Sequence, residues 1–97
     1  MREVETKQLK ELKNVGKATL ADLHLLGIYS VKELAIQDPT HLFHRLELQT
    51  GVRHDPCVWD VFAAIIHEAK TGEATSWWSW TAERKALQKA GKVTHVV

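Results

Sequence analysis

Ninety-seven residues with a formal net charge of +1 are enough for one domain with its own apolar core, spanning 1–97. No apolar run approaches the ~20 residues of a membrane span, and the charged opening from Met1 to Lys13 has no hydrophobic signal-peptide centre, so a cytoplasmic location without membrane contact is expected. The single cysteine, Cys57, excludes an intrachain disulfide and a multi-cysteine zinc site.

The spacing predicts helices and turns throughout. A first helix is expected over about residues 4–13, with Leu9 and Leu12 on its apolar side. A tight turn then leads into a second helix over about 16–26, which buries Leu20, Leu23 and Leu26 and stops at Gly27. Ser30-Val31-Lys32-Glu33 has the spacing of a capping box and opens a short third helix ending near Ile36. Asp38-Pro39 and Asp55-Pro56 each place an N-cap before a proline suited to the first helical position. They open a fourth helix over about 39–49 and a fifth over about 56–70, ended by Gly51 and Gly72.

In the fifth helix Val58, Val61, Phe62, Ile65 and Ala69 form an apolar stripe that Trp59 and Ile66 widen, which predicts a central position. Asp60, His67 and Lys70 are expected to form a polar strip that reaches water. A loop over 72–79 carries Trp77 and Trp78, Trp80 follows, and a last helix over about 81–91 leaves a tail expected to be loose. Alternating apolar patterns are scarce. The expected fold is all-α, a compact bundle of five or six short helices.

Three clusters bear on chemistry. In the first turn Lys13 and Lys17 flank Asn14, Val15 and Gly16 with no acid between them. Amides at a helix N-terminus lack partners within the helix and lie at the positive end of its dipole, so they can hold a phosphate. Lys13, Asn14, Val15, Gly16, Lys17, Ala18 and Thr19 are therefore the candidate anion-binding residues, and Asn14 tolerates the left-handed conformation that such a turn needs. The stretch 46–62 echoes this order in a longer turn, making Gly51, Val52, Arg53 and His54 a possible second hairpin. Charge is also uneven: residues 81–97 hold Arg84, Lys85, Lys89 and Lys92 against Glu83, whereas residues 1–80 hold nine basic and eleven acidic side chains. Such a basic stripe attracts phosphate, or is simply a solvated helix face.

The second cluster is His54-Asp55-Pro56-Cys57. A thiol in the first turn of a helix beside a histidine could be activated; alternatively Asp55 is a cap and Cys57 a small apolar residue facing the core. With His41 and His44 these residues could supply metal ligands, yet the two pairs lie on different predicted helices. The third cluster is Trp77, Trp78 and Trp80, followed by Arg84 and Lys85. Aromatic faces there could stack on unpaired bases or anchor the last helix to the core. No Gly-rich nucleotide loop and no acidic nuclease-type cluster is present, so no enzymatic activity, cofactor or metal is expected.

The turn from Leu12 to Gly16 resembles the hairpin of helix-hairpin-helix DNA-binding modules, with Asn14 in place of the first glycine of that pattern. Over about residues 8–88 the chain is similar to the bacterial pathogenicity-locus family. The similarity is carried by Leu12-Lys13-Asn14-Val15-Gly16, Leu26-Gly27-Ile28, Ser30-Val31-Lys32-Glu33-Leu34-Ala35, Asp38-Pro39, Gly51-Val52-Arg53-His54-Asp55-Pro56-Cys57-Val58, Asp60-Val61-Phe62 and Trp77-Trp78. Members of that family are often labelled mitomycin-resistance or helix-hairpin-helix proteins. The resemblance implies bacterial origin and a SAM-domain-like arrangement; on the residue pattern the domain divides into a hairpin over about 5–27, a degenerate second half over 39–70, and a Trp-rich loop and basic helix over 72–91. The wider helix-hairpin-helix superfamily implies sequence-independent binding of DNA backbone through hairpin amides. Three readings follow: a non-enzymatic DNA-binding module, a protein–protein adaptor with an exposed Trp-lined patch as its contact surface, and a thiol or metal function at Cys57.

Overall fold

The computed structural model describes residues 8–97, so the part of the first expected helix before Gln8 lies outside the described residues. Among those described, every element is helical: α1 (Lys17–Leu25), α2 (Val31–Ala35), α3 (Pro39–Thr50), α4 (Cys57–Thr71) and α5 (Thr81–Lys89), with 3-10 turns at Leu9–Glu11 and Trp77–Trp80. The all-α expectation holds.

Local chemistry explains most boundaries. Ser30 Oγ accepts from the Glu33 amide at 3.0 Å and opens α2, but the Glu33 carboxylate returns to the Tyr29 amide at 2.8 Å, one residue before the cap. Asp38 accepts from the His41 amide at 3.0 Å and opens α3. Asp55 Oδ1 accepts from the Cys57 amide at 2.8 Å and opens α4. At the end of α1, Gly27 takes φ +80°, and the Gly27 and Ile28 amides reach the His24 and Leu23 carbonyls at 3.0 and 2.8 Å. This paired closure satisfies two carbonyls left open by the helix end, and it turns Ile28 into the core beside Leu23.

The expected first helix is corrected in its described part. There the chain makes one 3-10 turn, Leu9–Glu11, and becomes extended at Leu12. Leu9 and Leu12 are nonetheless both buried, because three residues of 3-10 turn still return a side chain to the same face.

The core forms around α4. Trp59, Phe62, Ala63, Ile65 and Ile66 pack with Leu34 of α2, Leu42, Phe43 and Leu46 of α3, Leu23 of α1, and Leu9 and Leu12. Trp59 lies inside and donates its indole N–H to Thr40 Oγ1 at 2.9 Å, which removes the cost of burying that donor.

Two expectations about polarity fail. Asp60 does not reach water: it is 0 % exposed and accepts from Thr81 Oγ1 at 2.6 Å, Arg84 Nε at 3.0 Å and Arg84 Nη2 at 3.3 Å. A buried carboxylate needs such partners. The α5 helix supplies them by packing over the side of α4 that helical periodicity alone assigns to solvent. The tail after Gly91 is also not loose. Val93 is buried in the core, and His95 Nδ1 and the Val96 amide bind Glu47 at 2.6 and 2.9 Å.

Candidate functional site

The turn before α1 is shaped by two anchors. Asn14 adopts φ +74°, the left-handed conformation expected of the residue standing in for glycine. Its side-chain amide donates to the Thr75 carbonyl at 2.8 Å, and the Lys13 amide donates to Glu68 Oε1 at 2.9 Å, so the turn is tied to the far end of α4 and the loop that follows. Val15 is partly buried and its amide closes onto the Leu12 carbonyl at 3.2 Å.

Beyond Val15 the amides are open. Gly16 is the N-cap of α1 and has no side chain to cap it, and a Cβ placed there would meet nothing within 4 Å. The first backbone bond into the helix is Leu20 N–H to the Gly16 carbonyl at 2.9 Å. Among the described residues nothing accepts from the amides of Gly16, Lys17, Ala18 and Thr19. Lys13, Gly16, Lys17 and Ala18 are exposed, Thr19 is half-buried, and neither lysine is engaged in an ion pair among the described residues. These donors and cations converge on solvent at the positive end of a nine-residue helix, an arrangement that can hold an anionic oxygen.

The turn before α4 contains the second candidate set, and most of its donors are taken up by acceptors of the chain itself. Gly51, at φ +70°, donates to the Glu47 carbonyl at 2.7 Å. The Val52 amide reaches Thr50 Oγ1 at 3.4 Å and the His54 amide reaches Glu47 Oε2 at 2.9 Å. The Arg53 guanidinium donates to the Val97 carbonyl at 2.8 Å. Asp55 places its own carboxylate on the first amide of α4, so the position an external anion would take is filled from within. Burial would push the Glu47 carboxyl up. The His54 amide, the His95 ring and the Val96 amide outweigh that and bring it down to about 2. Glu47 is therefore ionised near neutral pH and can only accept, which fixes His95 Nδ1 as the donor of their bond.

Cys57 and His54 are not brought together as an activated pair. His54 Nε2 lies 2.9 Å from Thr50 Oγ1. Burial and the adjacent Asp55 carboxylate push the Cys57 thiol above its usual value, against a weaker opposite pull from Arg84, whose Nη2 lies 3.7 Å from the sulfur. His41 is exposed on α3, while His44 is half-buried with its Nε2 inside and unpartnered among the described residues. No group of three His, Cys, Asp or Glu residues among those described converges on a metal-sized site.

The three C-terminal tryptophans divide. They form a 3-10 turn that leads directly into α5, not an irregular loop. Trp80 packs on the core, donates to Thr75 Oγ1 at 2.9 Å and lies 5.3 Å from the His67 ring. Trp77 is half-buried and Trp78 is exposed. Arg84, counted in sequence among the outward cations, turns inward to Asp60; no local signal distinguishes it from Lys85. A further feature had no sequence signal. Among the described residues Leu9, Leu20, Tyr29, Val31 and Ala69 line a groove of about 770 Å³, and His24 stacks on Tyr29 beside it at 4.9 Å.

A small helical bundle organised around a buried α4, with one open lysine-flanked turn, is the structural class. Residues 2–86 match the Cdd1, or pathogenicity locus, family, and the chain belongs to that family. The mitomycin resistance protein McrB of Streptomyces lavendulae is 34 % identical over 79 residues, covering 81 % of this chain and 75 % of that protein. No solved structure matches the chain.

Proposed function

We propose that the protein is a non-enzymatic module that grips DNA backbone without sequence preference. The amides of Gly16, Lys17 and Ala18 hold one phosphate, and Lys13 and Lys17 add charge. One observation carries this reading. Ser30, Asp38 and Asp55 each cap the helix that follows them, whereas α1 starts on a bare glycine between two exposed lysines. The likeness of residues 12–23 to a helix-hairpin-helix turn supports the same assignment. With few phosphate contacts, affinity is modest and falls with salt at a log–log slope of about −0.9 per contact.

The test is a salt-dependent titration of duplex DNA with the wild type and Lys17→Glu. The variant is expected to lose measurable binding while its stability stays within about 0.5 kcal/mol of wild type, as for other surface changes. A carboxylate in the first turn also suits the helix dipole, so lost binding would not reflect unfolding. Duplex binding that Lys17→Glu leaves unchanged refutes the reading.

The groove beside Tyr29 favours a second reading, a protein–protein adaptor, because buried aromatic anchors dominate such contacts. A partner retained after nuclease treatment, lost in Tyr29→Ala and kept in Lys17→Glu would establish it instead.

A further inference from the structure

The outer face of α5 belongs to neither surface above. The 3-10 turn Trp77–Trp80 runs without interruption into α5. Helical spacing of three and four residues sets Ala82, Lys85 and Lys89 along one side of α5, and Trp78 lies one turn ahead of them in the 3-10 segment. All four are exposed, and Trp78 retains 64 % of its accessible surface. Trp77 meets Trp78 in a T-shaped contact with ring centroids 5.6 Å apart. Neither Lys85 nor Lys89 has an ion-pair partner among the described residues. Glu83 follows Ala82 by one residue, about 100° further round the helix. The opposite side of α5 is committed to the fold through Arg84 on Asp60 and Leu87 against the core.

We infer that this face binds an unpaired nucleic-acid strand, with one base stacked on Trp78 and phosphates following Lys85 and Lys89. The chemistry selects this occupant over a protein. Lysine is depleted at protein–protein interfaces, whereas an aromatic platform leading into a basic track is the usual means of holding single strands. It also selects an unpaired strand over a duplex, because base faces inside a duplex are already stacked on one another. The small Ala82 side chain lets a sugar–phosphate chain approach the helix. From Trp78 to Lys89 the track is about 17 Å long. The inference concerns a different surface from the turn before α1 and does not rest on the reading given for that turn.

The experiment is a titration with a short oligothymidylate, followed by intrinsic tryptophan fluorescence and by anisotropy of a labelled strand. The expected result is quenching on binding. Trp78→Ala should weaken affinity about 5- to 150-fold, the range of ~1–3 kcal/mol per stacked base, and Trp78→Phe should restore most of it. Lys85→Ala with Lys89→Ala should flatten the log–log salt slope by about 0.7 for each phosphate that the lysines no longer neutralise. Trp78→Ala should leave duplex affinity unchanged, which separates this surface from the turn before α1. No binding, binding unaltered in Trp78→Ala, an equal loss of duplex affinity in Trp78→Ala, or heparin competing with no tryptophan involvement would each overturn the inference.

Discussion

At the turn before α1, residues 16–19 present backbone amides to solvent between two lysines; at the turn before α4, the amides of Gly51, Val52, His54 and Cys57 are directed at Glu47, Thr50 and Asp55. Both turns join helical segments, both use a residue with positive φ, and both carry basic side chains. What differs is the supply of internal acceptors. Backbone donors removed from water must find partners, and a carboxylate within reach supplies them, converting a would-be anion site into a self-contained cap. At the first turn the Glu68 carboxylate takes the Lys13 amide on the near side and leaves the helix amides untouched. An open helix start is thus defined as much by where the acids are spent as by which lysines are present.

The largest expected effect concerns the buried pair that secures α5 on α4, the helix that the second turn opens. Asp60→Ala would leave Arg84 buried without its carboxylate, at a cost of about 3–5 kcal/mol, measured by urea denaturation. A loss below about 1 kcal/mol would mean that Arg84 finds another partner and that α5 is not secured through Asp60.

Glu47→Gln acts on the second turn directly. Whichever way the amide is placed, its NH₂ group faces either the His54 or the Val96 N–H, so one backbone donor loses its acceptor, costing about 1–3 kcal/mol. The wild type should also show an acid limb that the variant lacks. Because the folded carboxyl lies at about 2, below its ordinary value of 4.5, the stabilisation is present above about pH 4.5 and is lost as pH falls toward 2. Denaturation of both proteins across that window reads the difference, and parallel pH profiles would remove Glu47 as the reason the second turn is closed.

The smallest effect concerns the first turn. Asn14→Ala and Asn14→Gly both lose the bond to Thr75, so the difference between them isolates the positive φ, and the alanine variant should be less stable by about 1 kcal/mol. Equal stability would show that Asn14 is not held in the left-handed region in solution.

Much of the helical framework is local. Ser30, Asp38 and Asp55 cap the helices they precede through their own side chains, and the apolar spacing of 58–69 places α4 in the centre, so these features are readable from neighbouring residues alone. Asn14 at positive φ is of the same kind, because the turn demands a conformation few residues accept. The fate of polar groups was decided elsewhere. Asp60 lies off the apolar stripe and still goes inside, because Thr81 and Arg84, more than twenty residues away in sequence, bring the donors it needs. The tail is fixed because Glu47 is buried where His95 and Val96 can reach it. Trp78 faces outward while Trp80 packs inward, and Arg84 turns in while Lys85 turns out, according to how α5 lies on α4. Local sequence determined which segments become helices and where they stop, because caps and periodicity act within a few residues. Only the tertiary structure decided which amides, acids and aromatic rings remain available to a ligand, because that depends on acceptors and neighbours supplied by distant parts of the chain.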